Sequence, residues 1–375
     1  MKVTIVAGAR PNFMKIAPII KEIRNASAEG HPIEYRLVHT GQHYDKAMSG
    51  DFFEQLGIPD PDANLECGGG SHAEQTAAIM IKFEKELIAF KPYLVLVVGD
   101  VTSTMACTIT AKKLNIEVVH VEAGIRSGDK TMPEEINRIV TDSICDHFFT
   151  TSVRAGENLA AQQVPVERIH FVGNTMIDTL HQNLSRIRKP ACYDELGLKD
   201  KQYLLLTLHR PSNVDAPLKL QSILNAVLGS VAQWPVVFPV HPRTRQILAG
   251  MQINYPNLYM IDPQGYLEFI YLVKNTLGVV TDSGGITEEA TVLHIPCLTM
   301  RNSTERPETI SIGTNELIGD DLHKLSSCIG NIVAGKWKKG GIPEFWDGKT
   351  SERIVKLLLE IYAGASVISK ADQTI

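Results

Sequence analysis

Short runs of aliphatic and β-branched residues recur along the chain, and stretches with helical periodicity separate them. This alternation predicts an α/β protein whose parallel sheets are covered by crossover helices. In the first half, the predicted strands are Val3 to Ala7, Arg36 to Thr40, Leu94 to Gly99, Glu117 to Val121, His147 to Thr151 and Ile169 to Val172. In the second half they are Tyr203 to Leu208, Val236 to Val240, Leu258 to Ile261, Leu277 to Thr281 and Cys297 to Met300.

Two such sets of strands predict two doubly wound domains, and 375 residues is the length of about two domains. A polar, strand-poor stretch from Asn174 to Lys201 forms the natural joint. The predicted domains are therefore residues 1–172 and residues 173–350.

Polar residues follow the predicted strands at their carboxyl ends, where open α/β sheets bind ligands. If the two halves face each other, these groups converge on one central cleft. The segments are Gly8-Ala9-Arg10, Gly99-Asp100 and Glu122-Ala123-Gly124 in the first half, and His209-Arg210, His241-Pro242-Arg243 and Asp282-Ser283-Gly284-Gly285 in the second.

Composition narrows the class of ligand. Hydrophobic residues make up 44% and charged residues 21%, as in soluble globular proteins, and the net charge is -5. The chain as a whole is thus not attracted to nucleic acid or to an anionic membrane, and an anionic ligand must meet a local basic cluster. The six cysteines are far apart and show no zinc spacing, and we find no signal peptide or membrane span, so a cytoplasmic protein with reduced thiols is expected.

Ser283-Gly284-Gly285 lies between a strand and a helix start, where free N–H groups suit a phosphate. An ordinary turn with Ser283 as the N-cap explains the segment equally well. Glu288 and Glu289 could accept hydrogen bonds from ribose hydroxyls, or simply suit the start of a helix. Basic residues in the candidate loops favour a small anion such as a diphosphate, although some must form surface ion pairs: Arg10, Lys15, Arg126, Arg138, Arg210, Arg243 and Arg306.

Asp100, Glu122, Glu134 and His209 are the acid-base candidates. Each also has a structural explanation, because Asp100 could cap a helix, Glu134 follows Pro133 at a helix start, and His209 could complete a loop. The sequence has neither a serine-hydrolase elbow nor a Walker loop, which argues against a serine hydrolase and a P-loop NTPase. It also lacks a GxGxxG dinucleotide motif, which argues against a requirement for NAD.

The chain resembles the non-hydrolysing UDP-N-acetylglucosamine 2-epimerases from about Lys2 to about Gly319. The matching motifs are residues 8–15 (GARPNFMK), 40–43 (TGQH), 99–104 (GDVTST), 120–126 (HVEAGIR), 133–138 (PEEINR), 281–285 (TDSGG) and 304–308 (TERPE). The resemblance implies two Rossmann-like domains in the glycosyltransferase-B arrangement, with a terminal helix at about 351–364 that returns to the first domain. It also implies a homodimer.

The implied activity is the reversible conversion of UDP-GlcNAc into UDP-ManNAc through a 2-acetamidoglucal, with neither a cofactor nor a metal. UDP leaves C1 while a base removes the C2 proton, and both return with the opposite configuration at C2. The resemblance makes Asp100, Glu122 and Glu134 the acid-base carboxylates and His209 the group beside the diphosphate. Residues implied to bind the UDP-sugar are Arg10, Lys15, Arg138, His241, Phe269, Ser283, Gly284, Gly285, Glu289 and Arg306.

Two departures from the family pattern bear on substrate and regulation. His209-Arg210-Pro211-Ser212-Asn213 replaces the usual His-Arg-Arg-Glu-Asn. The segment Cys67 to His72 lacks the arginine of family members that a second UDP-GlcNAc activates, although Gln42 and His43 remain as possible regulatory residues.

The segment from Cys67 to His72 also resembles the branch acting on UDP-2,3-diacetamido-glucuronic acid, whereas residues 304–308 favour the N-acetylglucosamine enzyme. The sequence is also compatible with a hydrolysing epimerase, with a glycosyltransferase and with a catalytically silent nucleotide-sugar-binding regulatory protein.

Overall fold

The computed structural model describes residues 1–42, 53–231, 234–240, 242–251 and 255–362, without the side chains of residues 10, 242 and 243. The chain forms two compact units. Unit 1 comprises Met1–Gln182 together with the described part of the segment that begins at Glu344, and unit 2 comprises Asn183–Pro343. The first unit therefore extends beyond residue 172, because the helix that follows its last strand packs with it.

Unit 1 contains a parallel sheet of seven strands in the order β3-β2-β1-β4-β5-β6-β7. Its strands are β1 (Lys2–Ala7), β2 (Glu34–His39), β3 (Ala63–Asn64), β4 (Leu94–Val98), β5 (Glu117–Val121), β6 (His147–Thr150) and β7 (Ile169–Phe171). The helices up to the boundary are α1 (Arg10–Ala28), α2 (His72–Phe90), α3 (Thr102–Lys113), α4 (Pro133–Ile144), α5 (Val153–Ala161) and α6 (Thr175–Asn183), with a 3₁₀ turn at Val166–Arg168.

Unit 2 contains a parallel sheet of six strands in the order β10-β9-β8-β11-β12-β13. Its strands are β8 (Leu204–Thr207), β9 (Val236–Pro239), β10 (Leu258–Ile261), β11 (Gly278–Thr281), β12 (Cys297–Thr299) and β13 (Asn315–Leu317). Its helices are α7 (Ala191–Glu195), α8 (Pro211–Val214), α9 (Pro217–Ser230), α10 (Pro242–Ala249), α11 (Tyr266–Asn275), α12 (Gly284–Val292), α13 (Glu308–Ser311) and α14 (Leu322–Val333).

These sheets confirm the predicted α/β class with two Rossmann-like units. The central strands are buried on both faces, as the continuous aliphatic run of β4 requires. Each unit has its own apolar core, built around Val95 and Val97 in unit 1 and around Leu206 and Val280 in unit 2. The carboxyl ends of the parallel strands in each unit therefore share one edge, which carries the candidate site residues.

The C-terminal helix α15 (Thr350–Ile361) packs against α1 of unit 1. Buried Asp178 of α6 caps it, because the Asp178 carboxylate accepts hydrogen bonds from Thr350 N at 3.0 Å and Ser351 N at 2.6 Å. Free N–H groups at a helix start need such an acceptor, and no side chain at the N-cap residue Lys349 supplies one.

None of the helices in the described ranges combines the length and apolar character needed to cross a bilayer. All six cysteines are free thiols, and four of them are buried.

Candidate active site

The turn that follows β1 is fixed by Asn12, in the first turn of α1. Its Oδ1 accepts hydrogen bonds from Gly8 N at 3.1 Å and Ala9 N at 3.0 Å, and its Nδ2 donates to Val98 O at 3.2 Å. Asn12 therefore ties the carboxyl end of β1 to that of β4. The backbone of Arg10 begins α1 here, and its side chain is not among those described.

Glu122 directly follows β5 and has a φ of 75°, in the left-handed region that side chains other than glycine rarely adopt. Its N–H donates to Phe149 O at 2.9 Å, which holds the backbone in place. The Glu122 carboxylate forms an ion pair with Lys15 of α1, and both side chains are largely buried. Such strain costs about 1–3 kcal/mol and is concentrated at functional sites.

Gly99 provides the space for this pair. Its φ is +67°, and a Cβ added to it would lie 3.1 Å from Lys15 Nζ and 3.9 Å from Glu122 Oε2. A Cβ at position 99 would therefore crowd the Lys15 ammonium and lie in ordinary contact with the Glu122 carboxylate.

Asp100 is the second carboxylate at this edge, and it forms an ion pair with Arg138 of α4. Asn137 Nδ2 donates to the Asp100 carbonyl at 2.8 Å. Asp100 does not cap α3, whose N-cap residue is Val101. The structure thus places Asp100 after β4 and Glu122 after the neighbouring strand β5, each paired with a cation that the sequence also singled out.

Glu134 and Glu135 have different environments. Buried Glu135 accepts hydrogen bonds from Ser127 N at 2.9 Å and Gly128 N at 3.1 Å and pairs with Arg138 Nη1 at 3.1 Å. Glu134 is exposed at the start of α4, and no hydrogen bond or ion pair joins it to the described residues. Glu135 therefore has a structural role, and Glu134 keeps a carboxylate free for chemistry.

Arg126 is not free to bind an anion, in contrast to its inclusion among the anion-binding candidates. Its Nη1 lies 2.7 Å from Asp142 Oδ2, and Gly124 N donates to the same oxygen at 3.1 Å. Asp142 Oδ1 lies 2.6 Å from His120 Nδ1, and His120 Nε2 lies 2.8 Å from Gly99 O. A buried network thus runs from Arg126 to the backbone beside Asp100.

Gln42 also belongs to this edge of unit 1. Its Oε1 accepts a hydrogen bond from Ser103 Oγ at 2.9 Å, and Ser103 Oγ lies 2.7 Å from Thr40 Oγ1. His43 lies outside the described residues, so the regulatory role of this pair stays a prediction.

In unit 2, fully buried Asp282 organises the segment after β8. Its carboxylate lies 2.8 Å from His209 Nδ1 and accepts hydrogen bonds from Arg210 N at 3.0 Å and Asn213 Nδ2 at 3.1 Å. Burial alone would raise the pKa of Asp282, but the hydrogen bonds and charge of His209 outweigh burial and lower it. The Asp282 carboxylate therefore orients the His209 ring, and 57% of that side chain remains exposed.

The helix α12 begins at Gly284, with Ser283 at the N-cap. Ser283 therefore occupies the N-cap position, as the turn explanation expects, but its side chain makes no capping hydrogen bond. Arg301 lies beside the helix start, since its Nη1 would be 3.4 Å from a Cβ at Gly284. Arg301 Nη2 is paired with Glu305 Oε1 at 2.7 Å. A helix start next to a guanidinium is well suited to a phosphate.

Arg306 is buried and forms an ion pair with Glu288 of α12. Glu289, the next residue, is buried beside the hydroxyl of Tyr266. Burial raises the pKa of Glu289 to about 8, and the Tyr266 hydroxyl opposes part of this effect. Glu289 is therefore largely protonated near neutral pH.

Three implied ligand residues are less clearly placed. Phe269 lies on α11 and is partly buried against the second apolar cluster of unit 2. His241 lies outside the described residues, as do the side chains of Arg10 and Arg243. Within the described part of the chain, no group of three or more His, Cys, Asp or Glu residues is arranged to hold a metal ion.

Sequence reasoning missed four residues that position the site: Asn12, His120, Asp282 and Arg301. The sequence does carry a signal for Asp282. This acid lies between a strand and a glycine turn, and His209 follows another strand of the same unit, so a pair between the two residues is suggested. The roles of the other three depend on contacts with distant segments, which a single sequence does not reveal.

Comparison with known proteins decides the family. The family model described as UDP-N-acetylglucosamine 2-epimerase matches residues 25–359. The chain belongs to this family. A UDP-N-acetylglucosamine 2-epimerase of Methanocaldococcus jannaschii is 40% identical over 96% of this chain and 99% of its own length.

One further relative and one solved structure are also similar to this UDP-N-acetylglucosamine 2-epimerase family member. A UDP-2,3-diacetamido-2,3-dideoxy-D-glucuronate 2-epimerase of Pseudomonas aeruginosa is 41% identical over 96% of this chain and 100% of its own length. The crystal structure of the M. jannaschii UDP-GlcNAc 2-epimerase in complex with UDP-GlcNAc and UDP has a TM-score of 0.84 and 39% identity, and covers 96% of this chain and 100% of that one.

Proposed function

We propose that this protein is a non-hydrolysing epimerase that interconverts UDP-GlcNAc and UDP-ManNAc by inverting C2 of the sugar. The observation that carries the proposal is the group around Gly99, where Glu122 and Asp100 are each paired with a cation. Glu122 is also held at a φ of 75°, which places its carboxylate at this point despite the backbone cost.

The C2 proton is not next to a carbonyl, so its direct removal near neutral pH is prohibitively slow, and loss of UDP from C1 must accompany it. A base takes the C2 proton, the C2–H electron pair becomes the C1=C2 double bond, and the C1–O bond breaks with its electrons leaving on UDP. The products of this half-reaction are 2-acetamidoglucal and UDP. In the return step, a proton reaches C2 on the opposite face, and an oxygen of UDP attacks C1.

Inversion requires acid-base groups for two faces of the sugar. Glu122, Asp100 and exposed Glu134 are the candidates, all belonging to unit 1. Glu122 is paired with Lys15 and Asp100 with Arg138, and an anionic substrate would compete for these two cations.

The departing UDP needs stabilisation of its developing negative charge. Unit 2 supplies the start of α12, Arg306 and the His209–Asp282 pair for this role. The neutral carboxyl of Glu289 can both donate and accept hydrogen bonds, and we assign it to the ribose hydroxyls. The complex of the M. jannaschii relative with UDP-GlcNAc and UDP supports this class of ligand.

Product analysis tests the proposal. The purified protein is incubated with UDP-GlcNAc alone, without an added cofactor, and the mixture is followed by proton NMR. We expect UDP-ManNAc to accumulate to an equilibrium that is also reached from UDP-ManNAc. Release of free ManNAc and UDP would instead establish a hydrolysing enzyme.

A second substrate has support of its own, because the Pseudomonas aeruginosa relative with the diacetamido-glucuronate name is 41% identical, against 40% for the M. jannaschii relative. If neither UDP-GlcNAc nor UDP-ManNAc reacts, UDP-2,3-diacetamido-glucuronic acid is the next compound. Its turnover with inversion at C2 would identify this second substrate.

A further inference from the structure

We propose that His120 carries a proton on both ring nitrogens and acts as a positioning residue that fixes the backbone on which Asp100 and Glu122 are mounted. The inference extends the proposed function, because it assigns a role to a residue with no assigned part in catalysis. It starts from the surroundings of the ring, which lies in the middle of the unit 1 sheet and is fully buried.

Each nitrogen of His120 faces an oxygen that can only accept. Nε2 lies 2.8 Å from the carbonyl oxygen of Gly99, and a carbonyl has no proton to give. Nδ1 lies 2.6 Å from Asp142 Oδ1. A neutral imidazole has one N–H and one lone pair, so it would direct a lone pair at one of these oxygens.

A protonated Asp142 could in principle donate to Nδ1, but a guanidinium and an N–H at its other oxygen favour the carboxylate. Asp142 Oδ2 accepts from Gly124 N at 3.1 Å and pairs with Arg126 Nη1 at 2.7 Å. The Arg126 guanidinium, which is always charged, and the Gly124 N–H both favour the charged form of Asp142 whatever the charge on His120. Asp142 is therefore a carboxylate, and both His120 nitrogens must donate.

The charges in this network explain why a buried cation is tolerated. Asp142 lies between His120 and Arg126, so the three groups carry one net positive charge. The fourth titratable group facing them is the buried thiol of Cys145, whose pKa is raised by burial and by Asp142, so it stays neutral.

The same network is connected to the backbone on both sides of the site. His120 holds the carbonyl of Gly99, the residue before Asp100, and Asp142 holds the N–H of Gly124, two residues after Glu122. Gly99 N in turn donates to Val121 O at 3.1 Å. Loss of the imidazolium would free the Gly99 peptide, and a displacement of about 1 Å at reacting groups can cost about 10²-fold in rate.

The protonation state is tested on the wild-type protein labelled with ¹⁵N-histidine. Long-range proton–nitrogen spectra at about pH 8, where a histidine with the ordinary pKa of about 6.5 is neutral, distinguish a doubly protonated ring by its nitrogen shifts. We expect one ring to show two protonated nitrogens and this signal to be lost in His120→Gln. If His120→Gln does not fold, the signal of the doubly protonated ring is assigned to His120 from its change in the Asp142→Asn variant. A neutral tautomer at His120 would overturn the proposal.

The positioning role is tested by kinetics with UDP-GlcNAc. We expect His120→Gln to lower kcat by about 10²-fold while KM and the UDP dissociation constant stay within about threefold, because the proposed UDP contacts lie in unit 2. The matched control is His31→Gln at an exposed loop position, which should leave kcat unchanged. An unchanged kcat in His120→Gln refutes the role. If wild-type protein does not turn over UDP-GlcNAc, the proposed function fails, while the NMR result still decides the charge of His120.

Discussion

The raised pKa of the buried Glu289 carboxyl predicts how the free energy of unfolding of this protein changes with pH. Its side chain lies in α12 with 3% of the residue exposed, and its pKa rises from 4.5 to about 8. At about 1.36 kcal/mol per pKa unit, this rise corresponds to about 5 kcal/mol of differential proton binding between the folded and unfolded states.

Because the pKa of Glu289 is higher in the folded state, the folded state binds this proton more tightly than the unfolded state does. A carboxyl whose pKa is raised by folding contributes stability that is fully present below pH 4.5 and is lost as the pH rises through about 8. The Glu289→Gln substitution replaces the neutral acid with a neutral amide of similar shape. The variant should therefore lack the loss of about 5 kcal/mol that this group causes in the wild type.

The assay is urea unfolding at about pH 5.5 and about pH 9, followed by tryptophan fluorescence. We expect the free energy of unfolding to fall more steeply with pH in the wild type than in Glu289→Gln. The control is Glu195→Gln, an exposed position in the same unit, which should behave like the wild type. Equal pH dependence in wild type and Glu289→Gln would refute the assignment of a protonated Glu289.

Three further predictions concern turnover and UDP binding. Arg306→Ala should weaken UDP binding in calorimetry and break the buried ion pair with Glu288, at a cost of about 3–5 kcal/mol in stability. Arg306→Ala combined with Glu288→Gln should regain part of the stability but not the affinity, and wild-type affinity would exclude Arg306 from the site. Asp100→Asn and Glu122→Gln should keep UDP affinity and lose about 10²–10⁴-fold in turnover, and unchanged turnover in either would remove that residue from the mechanism. Asp282→Asn removes the carboxylate that orients the neighbouring histidine, so turnover should fall by about 10²-fold in the same assay, whereas full turnover would show that this orientation is not needed.

Much of the fold could be predicted from the sequence because aliphatic runs separated by helical stretches have few solutions besides a parallel sheet. The strands missed were β3 and β13, which contain two and three residues, too few for a hydrophobic pattern. The first unit also extends past residue 172, since α6 supplies the cap for α15 through Asp178, a contact between distant segments.

The positions of some candidate site residues were predictable for a similar reason. Glycine and charged residues after strands are visible in a sequence, and these led to Asp100, Glu122 and Arg306. The pairing of Glu122 with Lys15, the protonated state of Glu289 and the burial of Arg126 against Asp142 depend on packing. Burial and partners set the charge of such groups, and neither can be inferred from residue type.

The most direct test of the central claim is exchange at C2 in deuterated water. The protein is incubated with UDP-GlcNAc in D₂O, and the C2 position of both epimers is followed by proton NMR and mass spectrometry. We predict UDP-ManNAc that carries deuterium at C2 from its first appearance, with the nucleotide still attached. Formation of UDP-ManNAc that keeps the original C2 proton would contradict a mechanism in which Asp100, Glu122 or Glu134 exchanges that proton with solvent.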